Sequence, residues 1–166
     1  MTTEPIFQNL YNLLSQAQLL TAGVPNGTPA FVTTSRKAPQ VSSVGAALQP
    51  AMYMMEGGVR IALRKGLNLP RYTFEAACII FFRNEGGDSG IPSTQMNNLW
   101  DAIEFQMTQR TLKADGTTVI PLPGGMRQQL GGVVYDAYAE GTAIRNEGLL
   151  NQQGAIVYPI TILTGM

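Results

Sequence analysis

A two-residue alternation of apolar side chains from Arg71 to Arg83 constrains the fold more than any other feature of this sequence. The even positions form one continuous apolar face: Tyr72, Phe74, Ala76, Cys78, Ile80 and Phe82. A period of two is the repeat of a β-strand, whose successive side chains point to opposite faces of a sheet. The odd positions are polar at both ends but include Ile79 and Phe81. This pattern predicts that a helix or a neighbouring subunit covers part of the second face.

Two segments carry apolar residues at helical spacing. The first, Pro5–Gln18, has a proline in its first turn, which is where a helix tolerates one. The second begins at Pro92 and extends to about Met107. Its predicted buried residues are Met96, Leu99, Trp100, Ile103 and Met107. We therefore expect two amphipathic helices, one before and one after the long strand.

Shorter apolar stretches predict the remaining strands: Phe31–Arg36, Pro50–Glu56, Val59–Lys65, Gly132–Arg145 and Ala155–Leu163. Gly57-Gly58 is interpreted as a turn, and the segment Ala22–Pro29 as a connection dense in glycine and proline. Within Gly132–Arg145, alternation predicts that Val133, Tyr135 and Ala137 point inward. Pro159 cannot donate a hydrogen bond to a neighbouring strand, so the last strand is predicted to lie at an edge or to carry a bulge.

The order of these elements predicts one α+β domain of 166 residues, in which two helices pack on a mostly antiparallel sheet of four to five strands. Two long loops interrupt it, at residues 37–49 and 109–129. The second contains Asp115-Gly116 between two short apolar stretches, a pattern typical of a small hairpin. A loop of this length in a compact domain is usually functional or disordered.

The residue types limit the chemistry that the chain can perform. It has no histidine and one cysteine, Cys78. Serine–histidine and cysteine–histidine nucleophiles are therefore excluded, as are an internal disulfide and a cysteine/histidine metal cluster. Asp101 and Glu104 share one helix face and could serve a carboxylate-dependent hydrolase, but a solvated helix face is the favoured interpretation. We predict a protein that is not an enzyme and needs neither cofactor nor metal ion.

Charged residues make up 13% of the chain, about half the share of a typical soluble domain. Such a surface favours burial against other proteins. Eleven basic and eleven acidic residues cancel, so there is no overall field to attract nucleic acid or a membrane. No signal peptide is evident, and the longest apolar run, Ala76–Phe82, is too short to span a bilayer. Folding in a cytoplasm is the expectation.

The basic residues concentrate at two places, Arg36-Lys37 and the stretch that holds Arg60, Arg64 and Lys65. A DNA-binding protein would use such groups to neutralise phosphates. No aromatic residues interleave with them, however, so a solvated arm or a subunit contact is favoured.

The order of motifs along the chain resembles the tail-terminator, or tail-completion, proteins of long-tailed bacteriophages, especially those of Gram-negative hosts. The resemblance covers nearly the whole chain. The motifs that carry it are Gln49-Pro50-Ala51-Met52-Tyr53, Leu69-Pro70-Arg71-Tyr72-Thr73, Ile91-Pro92, Met96-Asn97-Asn98-Leu99-Trp100-Asp101-Ala102-Ile103-Glu104, Leu130-Gly131-Gly132-Val133-Val134-Tyr135, Glu140-Gly141, Glu147-Gly148 and Ala155-Ile156-Val157-Tyr158-Pro159-Ile160-Thr161-Ile162-Leu163.

This resemblance implies a structural virion protein assembled in the host cytoplasm. Such proteins form a ring, usually of six copies, that caps the tail tube, ends tube polymerisation and presents a surface to the head connector or neck. The implied partners are other copies of the chain, the tube protein, the connector and, where the tail has a sheath, the sheath protein, with DNA only passing through the lumen. The candidate interface residues are Arg36, Lys37, Arg60, Arg64, Lys65, Ile79, Phe81, Asp115 and Arg127.

We expect the ring contact to use the sheet edge and the arm Val59–Lys65. The loops Lys37–Leu48 and Thr111–Gln129 are then expected to face the tube, sheath or connector. Two alternatives stay open, a head-to-tail connector or stopper of the neck and, from another class, the small hydrolase described above.

Overall fold

A computed structural model describes residues 3–38, 44–63, 70–83, 92–108, 110–112, 119–121, 127–146 and 153–164. The helices are α1 (Glu4–Ser15) and α2 (Pro92–Met107), and short 3₁₀ helices cover Ala46–Leu48 and Leu130–Gly132. The strands are β1 (Gln18–Thr21), β2 (Val24–Pro29), β3 (Thr33–Ser35), β4 (Ala51–Leu63), β5 (Pro70–Arg83), β6 (Arg110–Leu112), β7 (Val119–Pro121), β8 (Arg127–Gln128), β9 (Asp136–Ala139), β10 (Ile144–Asn146) and β11 (Gln153–Leu163).

The main sheet has seven strands in the order β3-β4-β5-β11-β9-β8, and β10 also pairs with β11. β3 runs parallel to β4, whereas the other pairs are antiparallel. The predicted α+β class is therefore confirmed, although the sheet has more strands than the four to five expected. The predicted hairpin of the second long loop is also present, as the pair β6–β7.

One face of the sheet, here called the helix face, carries the main core. The even positions of β5 from Phe74 to Phe82 are buried there, as predicted, together with Ile156, Tyr158, Ile160 and Ile162 of β11. The same apolar cluster contains Ile6, Leu10 and Leu14 of α1, and Met96, Leu99, Ile103 and Met107 of α2. Each large aliphatic side chain that is buried in this way contributes about 1.5–3 kcal/mol to folding. Trp100, predicted to be buried, is partly exposed and packs at the margin of this cluster.

The interpretation of Gly57-Gly58 as a turn is wrong. β4 continues through both glycines and pairs with β5 on either side of them, with a bulge between Glu56 and Val59. At Gly57 the two strands approach so closely that a Cβ atom would lie 3.0 Å from the backbone oxygen of Glu75. Glycine suits such a close approach, since it has no side chain to accommodate.

The connection predicted at Ala22–Pro29 is instead half of a hairpin. β1 and β2 pair up to Thr21 and Val24, which leaves Ala22-Gly23 as a two-residue turn. Both turn residues have positive φ, 51° and 78°. A two-residue hairpin turn whose twist matches that of the paired strands has positive φ at both positions. This hairpin also explains why α1 ends at Ser15, earlier than the predicted Gln18, because Gln18 already belongs to β1.

The single strand predicted at Gly132–Arg145 is wrong. A 3₁₀ helix ends at Gly132, and two short strands, β9 and β10, follow. The predicted orientation fails at its start, since Tyr135 is 65% exposed and Asp136 is buried, whereas Ala137 is buried as expected. The alternation predicted from Val133 onward fails because a 3₁₀ helix, and not a strand, precedes β9.

Pro159 does not mark an edge strand, because β11 has neighbours on both sides. In an antiparallel strand the N–H and C=O of one residue point to the same neighbour. The Pro159 carbonyl accepts a hydrogen bond from the Glu140 N–H at 3.3 Å, so the missing N–H of Pro159 faces the link between β9 and β10. The proline is tolerated inside the sheet because the neighbouring strand is interrupted beside it.

Candidate assembly surfaces

The second face of the sheet, here called the open face, carries the odd positions of β5. At one end, the chain itself covers Phe81, which packs against Val44, Ala51 and Tyr53. The rings of Phe81 and Tyr53 are 6.0 Å apart. At Phe81, part of the cover predicted for this face therefore comes from the end of the first long loop. Ile79 lies opposite Tyr53 in the β4–β5 ladder and is half-buried.

Side-chain amides hold that loop end on the sheet. The Val44 N–H donates to the Gln153 side-chain oxygen at 2.7 Å, and Gln49 Nε2 donates to the same oxygen at 3.1 Å. Gln49 Nε2 also donates to the Val44 carbonyl at 2.5 Å. These bonds join the loop to the start of β11, so residues 44–49 are a fixed part of the open face.

Arg36 is engaged within the chain. Its guanidinium contacts Glu4 and donates to Gln8 at 3.1 Å and to Glu56 at 2.6 Å. These contacts link α1 to β4. Hydrogen bonds to Glu4 and Glu56 raise the pKa of Arg36, and the hydrogen bond from Arg36 lowers the pKa of the Glu4 carboxyl. The neighbouring Lys37 is exposed.

The two halves of β4 differ sharply in burial. Residues 51–54 are buried, whereas residues 55–62, here called the distal half, are exposed on both faces. Three large apolar side chains of the distal half are exposed: Met55 by 44%, Val59 by 51% and Ile61 by 67%. The outer edge of β4 pairs with β3 only at residues 51–53, and no strand of the described residues pairs with that edge further along.

The predicted basic residues do not form one cluster. Arg60 is 82% exposed and lies 3.4 Å from Glu75, an exposed ion pair worth about 0–1 kcal/mol. In the β4–β5 register Arg60 lies opposite Thr73 on the open face, whereas the Arg36 partner Glu56 lies opposite Ala76 on the helix face. Arg64, Lys65 and Asp115 are outside the described residues, and Arg127 is described only through its backbone, which pairs with Tyr138.

A groove of about 500 Å³ crosses the open face beside the bulge of β4. Its lining includes Ala77 of β5 and Pro159 and Thr161 of β11. Met55 and Arg60 line it from β4, and Glu140 and Gly141 line it from the β9–β10 link. Sequence reasoning missed this groove because its two sides depend on features that were interpreted otherwise. Gly57-Gly58 was expected to be a turn, and Glu140-Gly141 was expected to lie within a strand.

The carboxylate pair considered for hydrolysis lies on α2. Asp101 is exposed on α2 and Glu104 is half-buried. Within the described ranges, no three acidic or cysteine side chains come close enough to hold a metal ion. The described helices also include none that is long and apolar enough to cross a membrane. Comparison with models of known protein families and with curated proteins found no match to this chain.

Proposed function

We propose that this protein is a structural subunit of a bacteriophage virion, located at the top of the tail. Copies of it form a ring, of six as is usual in the family that the chain resembles, that caps the tail tube, ends tube polymerisation and joins the tail to the head connector. The proposal combines the order of motifs along the chain, which resembles tail-terminator proteins, with a surface suited to contact between copies.

The observation that carries the proposal is that the distal half of β4 is exposed and, among the described strands, has an unpaired outer edge. An unpaired strand edge is a template for contact with another chain, and exposed apolar side chains strengthen such a contact. Val59 and Ile61 combine both properties. A ring requires a heterologous interface, in which one surface of a subunit meets a different surface of the next. The distal half supplies the first of these surfaces.

The partners outside the ring are assigned to other regions of the chain. Residues 37–48 and 111–129 are proposed to face the tube, the sheath or the connector. DNA passes through the lumen without sequence readout, which suits a chain whose eleven basic and eleven acidic residues cancel.

Polymerising the tube protein in the presence of the purified chain tests this function. We expect tubes of limited length, with added density at one end in electron micrographs. The double variant Asp101→Ala/Glu104→Ala is the matched control, since the proposal gives these carboxylates no role, and it should limit tube length equally well. Tubes of unrestricted length without bound protein would contradict the proposal.

Binding to heads and turnover of a substrate, measured beside tube length, separate the alternatives. A stopper of the neck would leave tube length unchanged and bind instead to DNA-filled heads that lack tails. A carboxylate-dependent hydrolase would lose turnover of its substrate in the double variant.

A further inference from the structure

The groove on the open face offers the second surface that a ring contact requires. It lies beside the distal half of β4, and its lining includes Ala77 of β5 and Pro159 of β11. Glu75 is 46% exposed and Glu140 is exposed at the groove margin. The lining also includes Glu56, which is paired with Arg36, and one basic residue, Arg60, so Glu75 and Glu140 leave an excess of one negative charge. The groove therefore favours a basic occupant.

The same chain contains a basic segment at a suitable place. β4 and β5 pair up to Leu63 and Pro70, so residues 64–69 connect the two strands at the end of the hairpin. Their sequence, Arg-Lys-Gly-Leu-Asn-Leu, has two positive charges and no negative charge. It follows directly on the exposed distal half, which is already proposed as a ring contact.

We infer that the groove receives the 64–69 connection of a second copy of this chain, with Arg64 and Lys65 placed near Glu75 and Glu140. This inference rests on the proposed function, because it names the surface on the neighbour that the hairpin contacts. The groove is lined by residues of β4, β5, β11 and the β9–β10 link, whereas residues 64–69 are a different segment of the chain. A contact between the groove and this segment is therefore heterologous and can be repeated from copy to copy around a ring.

Charge reversal on each side, separately and together, tests the contact in the full-length chain. Glu140→Lys is the first variant, because Glu140 lies in an exposed link and forms no ion pair among the described residues. Lys65→Glu is its counterpart. Like charges placed against each other oppose association, so each single variant should raise the protein concentration needed for half-assembly roughly tenfold or more.

The combined variant Glu140→Lys/Lys65→Glu should recover most of the lost assembly, measured by mass photometry or analytical ultracentrifugation. Asp101→Lys is the matched control. It makes the same change in charge on an exposed helix residue outside the groove, and it should leave the ring mass unchanged. Circular dichroism of every variant checks that the fold is retained.

Cross-linking gives a second measurement that does not depend on charge. Native Cys78 is fully buried, so cysteines introduced at Gly66 and Glu140 are the accessible ones. With both in one chain, a short bismaleimide should give a ladder of covalent multimers on denaturing gels. Either cysteine alone should give at most dimers.

The outcomes separate this inference from the function on which it rests. If the ring forms normally, assembles equally well with either charge reversal and gives no cross-linked ladder, the docking is overturned. The proposed function is then left intact. A chain that stays monomeric at all concentrations and never caps tubes overturns the proposed function itself. Recovery in the combined variant together with the ladder supports both.

Discussion

Both halves of β4 pair with β5, yet one half is buried and the other is exposed. Residues 51–54 are covered on the helix face by the main core and on the open face by the Val44 segment. The distal half pairs with β5 just as continuously beyond the bulge, but its side chains are exposed on both faces. Strand pairing and burial are therefore separate properties, and a strand can extend well beyond the layers that pack on it.

This difference suggests a division of work within a single element. The buried half stabilises the fold, whereas the distal half exposes a surface that another chain can contact. Its bulge and its exposed Arg60 are features that natural edge strands use to limit indiscriminate pairing. A selective contact is consistent with such an edge. Variants placed at matched positions in the two halves can test this division.

The largest effect on stability is expected at the boundary between the halves, where Met54 is fully buried and Met55 is 44% exposed. Met54→Ala should lower the free energy of unfolding by about 2–5 kcal/mol, because it leaves a cavity in the core. Met55→Ala, the matched control, should cost less than about 1 kcal/mol. Urea denaturation measures both values. Equal losses would show that burial does not divide the strand at this position.

The next effect is expected at the bulge. A Cβ atom at Gly57 would meet the Glu75 backbone at 3.0 Å, so Gly57→Ala should lower the free energy of unfolding by about 1–3 kcal/mol. Gly58 has the flexible Glu75 carboxylate as its nearest neighbour, at 3.4 Å, so Gly58→Ala should change stability by at most about 1 kcal/mol. Thermal and urea unfolding of the pair give the comparison. If Gly57→Ala leaves the free energy of unfolding unchanged, the bulge relaxes to accommodate the added Cβ atom.

A smaller effect on stability, but a clear one on assembly, is expected at Ile61. Ile61→Glu should change the free energy of unfolding by no more than about 0.5 kcal/mol, since the side chain is already exposed. In the proposed ring the same change should lower the assembled fraction, measured by analytical ultracentrifugation. Val24→Glu is the control, because Val24 is 55% exposed but lies in the separate β1–β2 sheet. An unaltered ring in the Ile61 variant would exclude this residue from the contact.

The smallest effect concerns the exposed Glu4, which Arg36 joins to Glu56 of the distal half. Arg36 lowers the pKa of Glu4 below its ordinary value of 4.5, so the charged form stabilises the folded chain. That contribution is present above the ordinary pKa and is lost as the pH falls through the lower, folded pKa. The stability difference between the wild type and Glu4→Gln should therefore shrink below about pH 4.5. Urea titrations at stepwise lower pH measure it, and a difference that grows in acid would refute the assignment.

The parts of the fold that could be predicted from sequence have a continuous local signal. β5 alternates without interruption, and α2 has buried residues at regular helical spacing. β1 and β2 gave no such signal, because a hairpin rich in glycine and proline is difficult to distinguish from a loop. Its turn also requires a positive φ at Ala22, a conformation that alanine rarely adopts.

The remaining errors arise from tertiary structure. Gly57-Gly58 has the composition of a turn, and only the neighbouring β5 makes it a bulge. Pro159 appears incompatible with a central strand until the gap between β9 and β10 is known. The groove combines residues from β4, β5, β11 and the β9–β10 link, which are far apart in sequence, so no local pattern could indicate it. The basic candidate interface residues were chosen by charge, which does not reveal that Arg36 is engaged by its own chain.

The position of β11 has a consequence for how the chain is made. β11 comes last in chain order among the described strands, yet it lies between β5 and the pair β9 and β10. Until residues 153–163 have been synthesised, the edge of β5 that β11 covers stays open. A growing chain is therefore prone to aggregation until β11 has joined the sheet.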